Sequence, residues 1–221
     1  IPLRPENHFQ APLHSVTGSE ALIGALGAYG RLVSPPHYLA PWMRGEQHVL
    51  ADLGCRAEQI AVRLAGMGLG SCFIGALGRE AEARAHLGLP PDARIGAFLI
   101  FGWPSQSLAG RAVNAAMRQA TGAANKLPLH KILFVEDWRP PETVPPALLP
   151  LLEAARSAPS AVDAQPWRFL WRDGRLHLFL KTSNLRYGPK SDYRYYDGGA
   201  CMGNVLLAMQ ALGLEGRWLL Y

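Results

Sequence analysis

The chain has 221 residues, 49% of them hydrophobic, and carries 22 Lys and Arg against 17 Asp and Glu for a formal net charge of +5. That composition suits a globular protein with one sizeable core or two small interlocked ones. Its basic residues are scattered and not interleaved with aromatics, which argues against a nucleic-acid partner, and no apolar run approaches the roughly 18 residues of a membrane span.

Cys55, Cys72 and Cys201 are odd in number and far apart, so they make neither a disulfide framework nor a Cys-x-x-Cys metal knuckle, and a reducing compartment follows. With no signal-like opening, the expected location is the cytoplasm. The start, Ile1-Pro-Leu-Arg-Pro5, is unusual for a domain, and a preceding N-terminal segment is expected.

In chain order, Asp52–Leu69 reads as a helix that is apolar nearly all round, a pattern of burial on several sides. Ser71–Leu77 is a short apolar segment, Glu80–His86 reads helical, and Ala93–Gly102 reads as a buried strand bounded by Pro90-Pro91 and Pro104. Gly110–Lys131 is polar, basic and Ala-rich, a connection that leads to the apolar Ile132–Trp138. Val144–Pro150 suits a helix entry, with Leu148, Leu151, Leu152 and Ala155 at helical spacing and Pro159 as the stop. Trp167–Arg172 and Arg175–Leu180 flank Asp173-Gly174, a tight-hairpin dipeptide. Asp197–Leu214 is a second helix buried on more than one side.

Asp52–Leu69 and Asp197–Leu214 align without gaps at an offset of 145, matching Asp52 with Asp197, Gly54 with Gly199, Gly68 with Gly213 and Leu69 with Leu214. An internal duplication is the favoured reading. Its bland rival is that any buried helix capped by Asp and closed by Gly looks this way.

Most familiar chemistry finds no support. The glycines of Gly66-Met-Gly-Leu-Gly70 follow a helix and precede an apolar segment, the reverse of the dinucleotide fingerprint, so they close a helix. No His-Glu-x-x-His pair, Cys-His ligand spacing or Gly-x-Ser-x-Gly elbow occurs, so neither a metal nor a catalytic side chain is assigned. Ala158-Pro-Ser-Ala-Val-Asp-Ala-Gln-Pro-Trp167 is different. Pro159 and Pro166 stiffen a turn on which Ser160, Asp163 and Gln165 could bind a polyol, although an ordinary helix-to-strand loop with Asx-turn chemistry has equal claim.

This segment resembles the Ala-Pro-Ser-x-x-Asn-x-Gln-Pro-Trp signature of FMN-dependent nitroreductases, and Gly68–Leu77 followed by Leu87–Pro91 and Phe101–Pro104 is similar to the family's ring-contacting part. The resemblance covers nearly the whole chain and implies a nitroreductase-like α+β fold: a mixed sheet around central buried helices, with two related halves in one chain. Residues 1–110 would be the first half, 111–131 a crossover linker and 132–221 the second half. Ordinary family members are homodimers that hold each flavin between subunits, and this chain has one of each half-site, so it would act as a monomeric internal pseudo-dimer. The resemblance further implies an oxidoreductase that takes hydride from NAD(P)H through FMN to a small-molecule electron acceptor such as a nitro compound or quinone.

Position by position, the resemblance puts the backbone of Ile74, Gly75 and Ala76 at the isoalloxazine edge, and Pro159, Ser160, Ala161, Asp163 and Gln165 at the ribityl and phosphate end. Lys126 would meet the phosphate, with Lys131 a weaker alternative. Asp163 replaces the family's Asn, so its carboxyl would be protonated or turned toward the ribityl hydroxyls. An Arg-x-Ser-x-Arg phosphate motif is missing from the sequence as it stands. The other reading left open is a non-catalytic descendant that keeps the fold but has lost or weakened FMN binding. Trp167 is expected in the core rather than as a substrate platform.

Overall fold

A computed structural model describes residues 1–15, 37–120, 125–182 and 191–221. Within them lie nine strands and five helices: β1 (His8–Gln10), β2 (Leu13–Ser15), β3 (His37–Leu39), β4 (Trp42–Arg44), α1 (Val49–Gly66), β5 (Gly70–Gly75), α2 (Glu80–Leu87), β6 (Ala97–Gly102), α3 (Leu108–Ala120), β7 (Leu133–Val135), α4 (Leu149–Ser157), β8 (Trp167–Arg172), β9 (Arg175–Leu180) and α5 (Tyr193–Ala211). The connection expected over Gly110–Lys131 is helical as far as Ala120, and its residues 121–124 lie outside the described ones.

The strands form an antiparallel sheet ordered β2-β3-β6-β5, a small β1-β4 ladder, and a mixed sheet ordered β7-β8-β9. β7 and β8 run parallel because α4 crosses between them, and β8 turns back into β9 through Asp173-Gly174, both with positive φ as a tight hairpin requires. The residues Ala93–Gly96, expected as part of a strand, precede β6; Arg94 bridges to Met43, and Gly96 O accepts the Ala76 N–H. Pro150 sits in the first turn of α4, and the helix ends before Pro159.

Tyr38, Trp42, Ile74, Ile95, Phe98 and Ile100 build one core against the four-stranded sheet. Ile132, Leu133, Leu152, Trp167, Phe169 and Val205 build a second between α4, α5 and the mixed sheet. Trp167 is fully buried in this second core. A third cluster lies between the two, where Tyr196 of α5 enters among Met43, Leu53, Ala57 and Ala97.

The seam is the packing of α1 on α5. A Cβ placed on Gly54 would overlap the Tyr196 carbonyl, and one placed on Gly199 would overlap the Ala51 carbonyl. Shifting Gly54 by 145 gives Gly199, and shifting Ala51 by 145 gives Tyr196, so the two contacts exchange roles. The helix ends repeat the match. Leu69 N–H donates to Leu64 O at 3.0 Å and Leu214 N–H to Met209 O at 2.9 Å, each closing a Schellman turn over a left-handed glycine, Gly68 or Gly213. Asp52 and Asp197 are not caps, because each helix begins a turn earlier, at Val49 and Tyr193. Both aspartates are buried inside their helices instead.

Candidate functional site

Among the described residues β5 is an edge strand, hydrogen-bonded to β6 on one side. At its end Ile74 and Ala76 are buried in the first core, while Gly75 between them is exposed. Ala76 N–H donates inward to Gly96 O at 3.0 Å. Strand alternation then turns the N–H and C=O of Gly75 toward the free edge. Over Gly75 stands Tyr193: a Cβ at Gly75 would overlap the phenol oxygen and lie 2.9 Å from Cζ. The Tyr193 hydroxyl accepts the Leu77 N–H, and burial raises its pKa.

One turn further along α5, Asp197 reaches the Pro159-Ser160 turn. Its two carboxylate oxygens each lie 3.1 Å from the Ala161 N, which donates to them. Asp52 of α1 makes a similar contact, accepting Leu3 N–H at 2.8 Å. Residues 193 and 197 face the same way on a helix. The two segments singled out in the sequence, Ile74–Ala76 and Pro159–Ala161, therefore both abut the first turns of α5.

The polar side chains of the turn serve one another. Ser160 Oγ accepts Gln165 N–H at 3.0 Å, and Asp163 accepts from Gln165 Nε2 at 2.9 Å and from Lys126 Nζ at 3.3 Å. Lys126 also donates to Ala158 O at 2.8 Å, while Gln165 accepts Leu127 N–H and donates to Asn125 O. Asp163 and Gln165 are buried. The departure from the family's Asn is thus matched locally: the carboxylate has an ammonium and an amide as donors, and Lys126 acts as a tie from residues 125–127 to the turn. Lys131 belongs to a short 3₁₀ turn, Leu129–Lys131, and is exposed. The turn backbone is strained, with φ of 48° at Val162, 51° at Asp163 and 44° at Gln165.

Behind this wall lie two buried carboxyls, Asp197 and Glu58. Burial pushes the Asp197 carboxyl up to about 8, countered by the Ala161 N–H and Lys126, and pushes Glu58 of α1 up to about 8, countered by an Asn204 amide hydrogen bond and Lys126. Tyr196, wholly buried beside both, is raised well above its ordinary value, chiefly by burial. Tyr193, Asp197 and Glu58 were not singled out from sequence as site residues. Only the Asp52/Asp197 match gave a signal, and it was one of internal duplication, with helix capping as the rival, not of a site.

Two central buried helices, glycine-tight at their crossing and flanked by an edge strand and a Pro-Ser turn, define a nitroreductase-type α+β architecture. Residues 7–192 match the model of the family described as "Putative TM nitroreductase", and the chain belongs to that family. The crystal structure of a "putative nitroreductase" from Thermotoga maritima shares its fold, with a TM-score of 0.54 and 18% identity over 97% of this chain and 71% of that one. The structure of a "Putative NADH dehydrogenase/NAD(P)H nitroreductase" from Bacteroides thetaiotaomicron is also similar at 18% identity, with a TM-score of 0.41 over 45% of this chain and 62% of that one. No curated protein matches the chain. Among the described residues no helix is long and apolar enough to cross a membrane.

Proposed function

We propose that this chain is an FMN-dependent oxidoreductase built as an internal pseudo-dimer, using NAD(P)H to reduce a small nitro compound, quinone or similar acceptor. The observation that carries the reading is the convergence on α5: Tyr193 lies on Gly75 and Asp197 holds Ala161, so the edge-strand end and the Pro-Ser turn share one helical face. The residues suit the ring end of FMN. Gly75 has no side chain to hold a flat ligand away, and its backbone N–H and C=O point to an open edge. Bound there, FMN supplies the two-electron chemistry, and the protein's part is to orient it and exclude water.

In this reading Ile74, Gly75 and Ala76 form one wall through their backbone, and Pro159, Ser160 and Ala161 form the other. Asp163, Gln165 and Lys126 set the shape of the second wall. The reciprocal contacts of Gly54 with Tyr196 and Gly199 with Ala51, the matched Schellman turns and the matched Asp52 and Asp197 acceptors support descent of the two halves from one unit.

The closed network of Ser160, Asp163, Gln165 and Lys126 favours a second reading, a fold retained for structure or for another ligand, because these side chains already have partners. Titration of FMN into the purified protein, followed by quenching of flavin fluorescence and anaerobic bleaching with NADPH, separates the two. Saturable quenching with bleaching supports the oxidoreductase. A colourless protein that leaves flavin emission unchanged supports the second reading.

A further inference from the structure

We propose that Tyr193 is a gate over the Gly75 edge, which a planar heteroaromatic ligand must displace before it can lie along the backbone there. This rests on the flavin reading and adds to it the residue that controls entry. Gly75 is exposed between two buried neighbours, so it is the point at which a flat ring can come close to the end of β5. The phenol of Tyr193 stands over that point. Its hydroxyl also accepts the Leu77 N–H. The phenol therefore occupies both the ligand's space and a backbone donor beside it.

The geometry also lets the gate open. Tyr193 is the first residue of α5, with no preceding helical turn to restrict its χ1. Swinging aside sacrifices one neutral hydrogen bond, which corresponds to about fivefold in an equilibrium constant. Asp197, a turn further on, can keep its hold on Ala161 while Tyr193 moves, so the opposite wall stays in place.

The test compares FMN and riboflavin binding by fluorescence quenching in the unaltered protein and in Tyr193→Ala and Tyr193→Phe, with hydrogen exchange at the Gly75 and Leu77 amides in the absence of flavin. Removing the phenol should tighten both ligands by about tenfold and speed exchange at both amides. Tyr193→Phe, which cannot hold Leu77, should fall between. Riboflavin serves because it presents the ring without a phosphate. Flavin binding that is equal or weaker in Tyr193→Ala, with unchanged circular dichroism and thermal midpoint, would overturn the gate and leave the flavin reading standing. If no variant binds either flavin, both fall. Should Tyr193→Ala not fold, Tyr193→Phe and its Leu77 exchange decide.

Discussion

Gly199 of α5 lies so close to the Ala51 carbonyl of α1 that only hydrogen fits between the two helices. The obstacle is backbone, which cannot step aside as a flexible side chain would. Gly199→Ala and Gly54→Ala should each destabilise the protein by about 3 kcal/mol by forcing the helices apart. Gly66→Ala is the control: a Cβ there meets nothing within 4 Å, and better helix propensity predicts a change between zero and a gain of about 1 kcal/mol. Urea denaturation of the three variants measures the difference.

The buried acids predict a direction for stability against pH. Glu58 and Asp197 titrate near 8 in the fold, against ordinary values of 4.5 and 3.8. Between those limits the folded chain keeps protons that the unfolded chain has lost. Their contribution is therefore full below about pH 4, declines as pH rises toward 8, and levels off above. Glu58→Gln removes an ionisable group while keeping its shape, so the decline should become shallower and the variant should gain about 2 kcal/mol relative to the parent at pH 9. Thermal midpoints from pH 5 to 9 check this, and a parallel pair of curves would refute it.

Lys126→Met should cost more than Asp163→Asn. The first leaves an anion with 4% side-chain exposure short of its counter-ion, a loss of about 3 kcal/mol. In the second, the amide oxygen still accepts from Lys126 or Gln165, and a cost of about 1 kcal/mol follows. A double-mutant cycle in urea should return a coupling of at least about 0.5 kcal/mol.

Val162 carries a β-branched side chain at φ 48°, ψ 29°, and is 53% exposed. A left-handed residue of this kind costs roughly 1–2 kcal/mol. Val162→Gly or Val162→Asn should raise the thermal midpoint by about 4 °C with little loss of packing. If FMN binding weakens at the same time, the strain helps to shape the second wall.

Local patterns were legible in the sequence. Asp173-Gly174 predicted the β8–β9 hairpin, Pro159 the end of α4, and an apolar run bounded by Pro90-Pro91 and Pro104 the buried strand at β6. The all-round apolar pattern of Asp52–Leu69 and Asp197–Leu214 marked both central helices, whereas their crossing at Gly54 and Gly199 is seen only in the fold. The three-residue strands β1 to β4 were not legible, because they are held by partners distant in sequence rather than by their own periodicity. The rival reading of Asp197 as a cap fails because the helix starts a turn earlier, and an acid followed by small residues looks alike at a helix start and one turn inside it. For the Ser160–Gln165 turn a polyol site and an ordinary helix-to-strand loop had equal claim in the sequence, and the contacts of its donors and acceptors with Lys126, Asn125 and Leu127 are a tertiary fact. Tyr193 gave no signal because its partner, Gly75, is distant in the sequence.

Since one helix bears on the β5 end through Tyr193 and grips the Pro-Ser turn through Asp197, any rocking of that rod is felt by both segments at once. Their separation is thereby tied to the rod's own stiffness, and a substitution deep in the helix crossing can shift the two together without touching either.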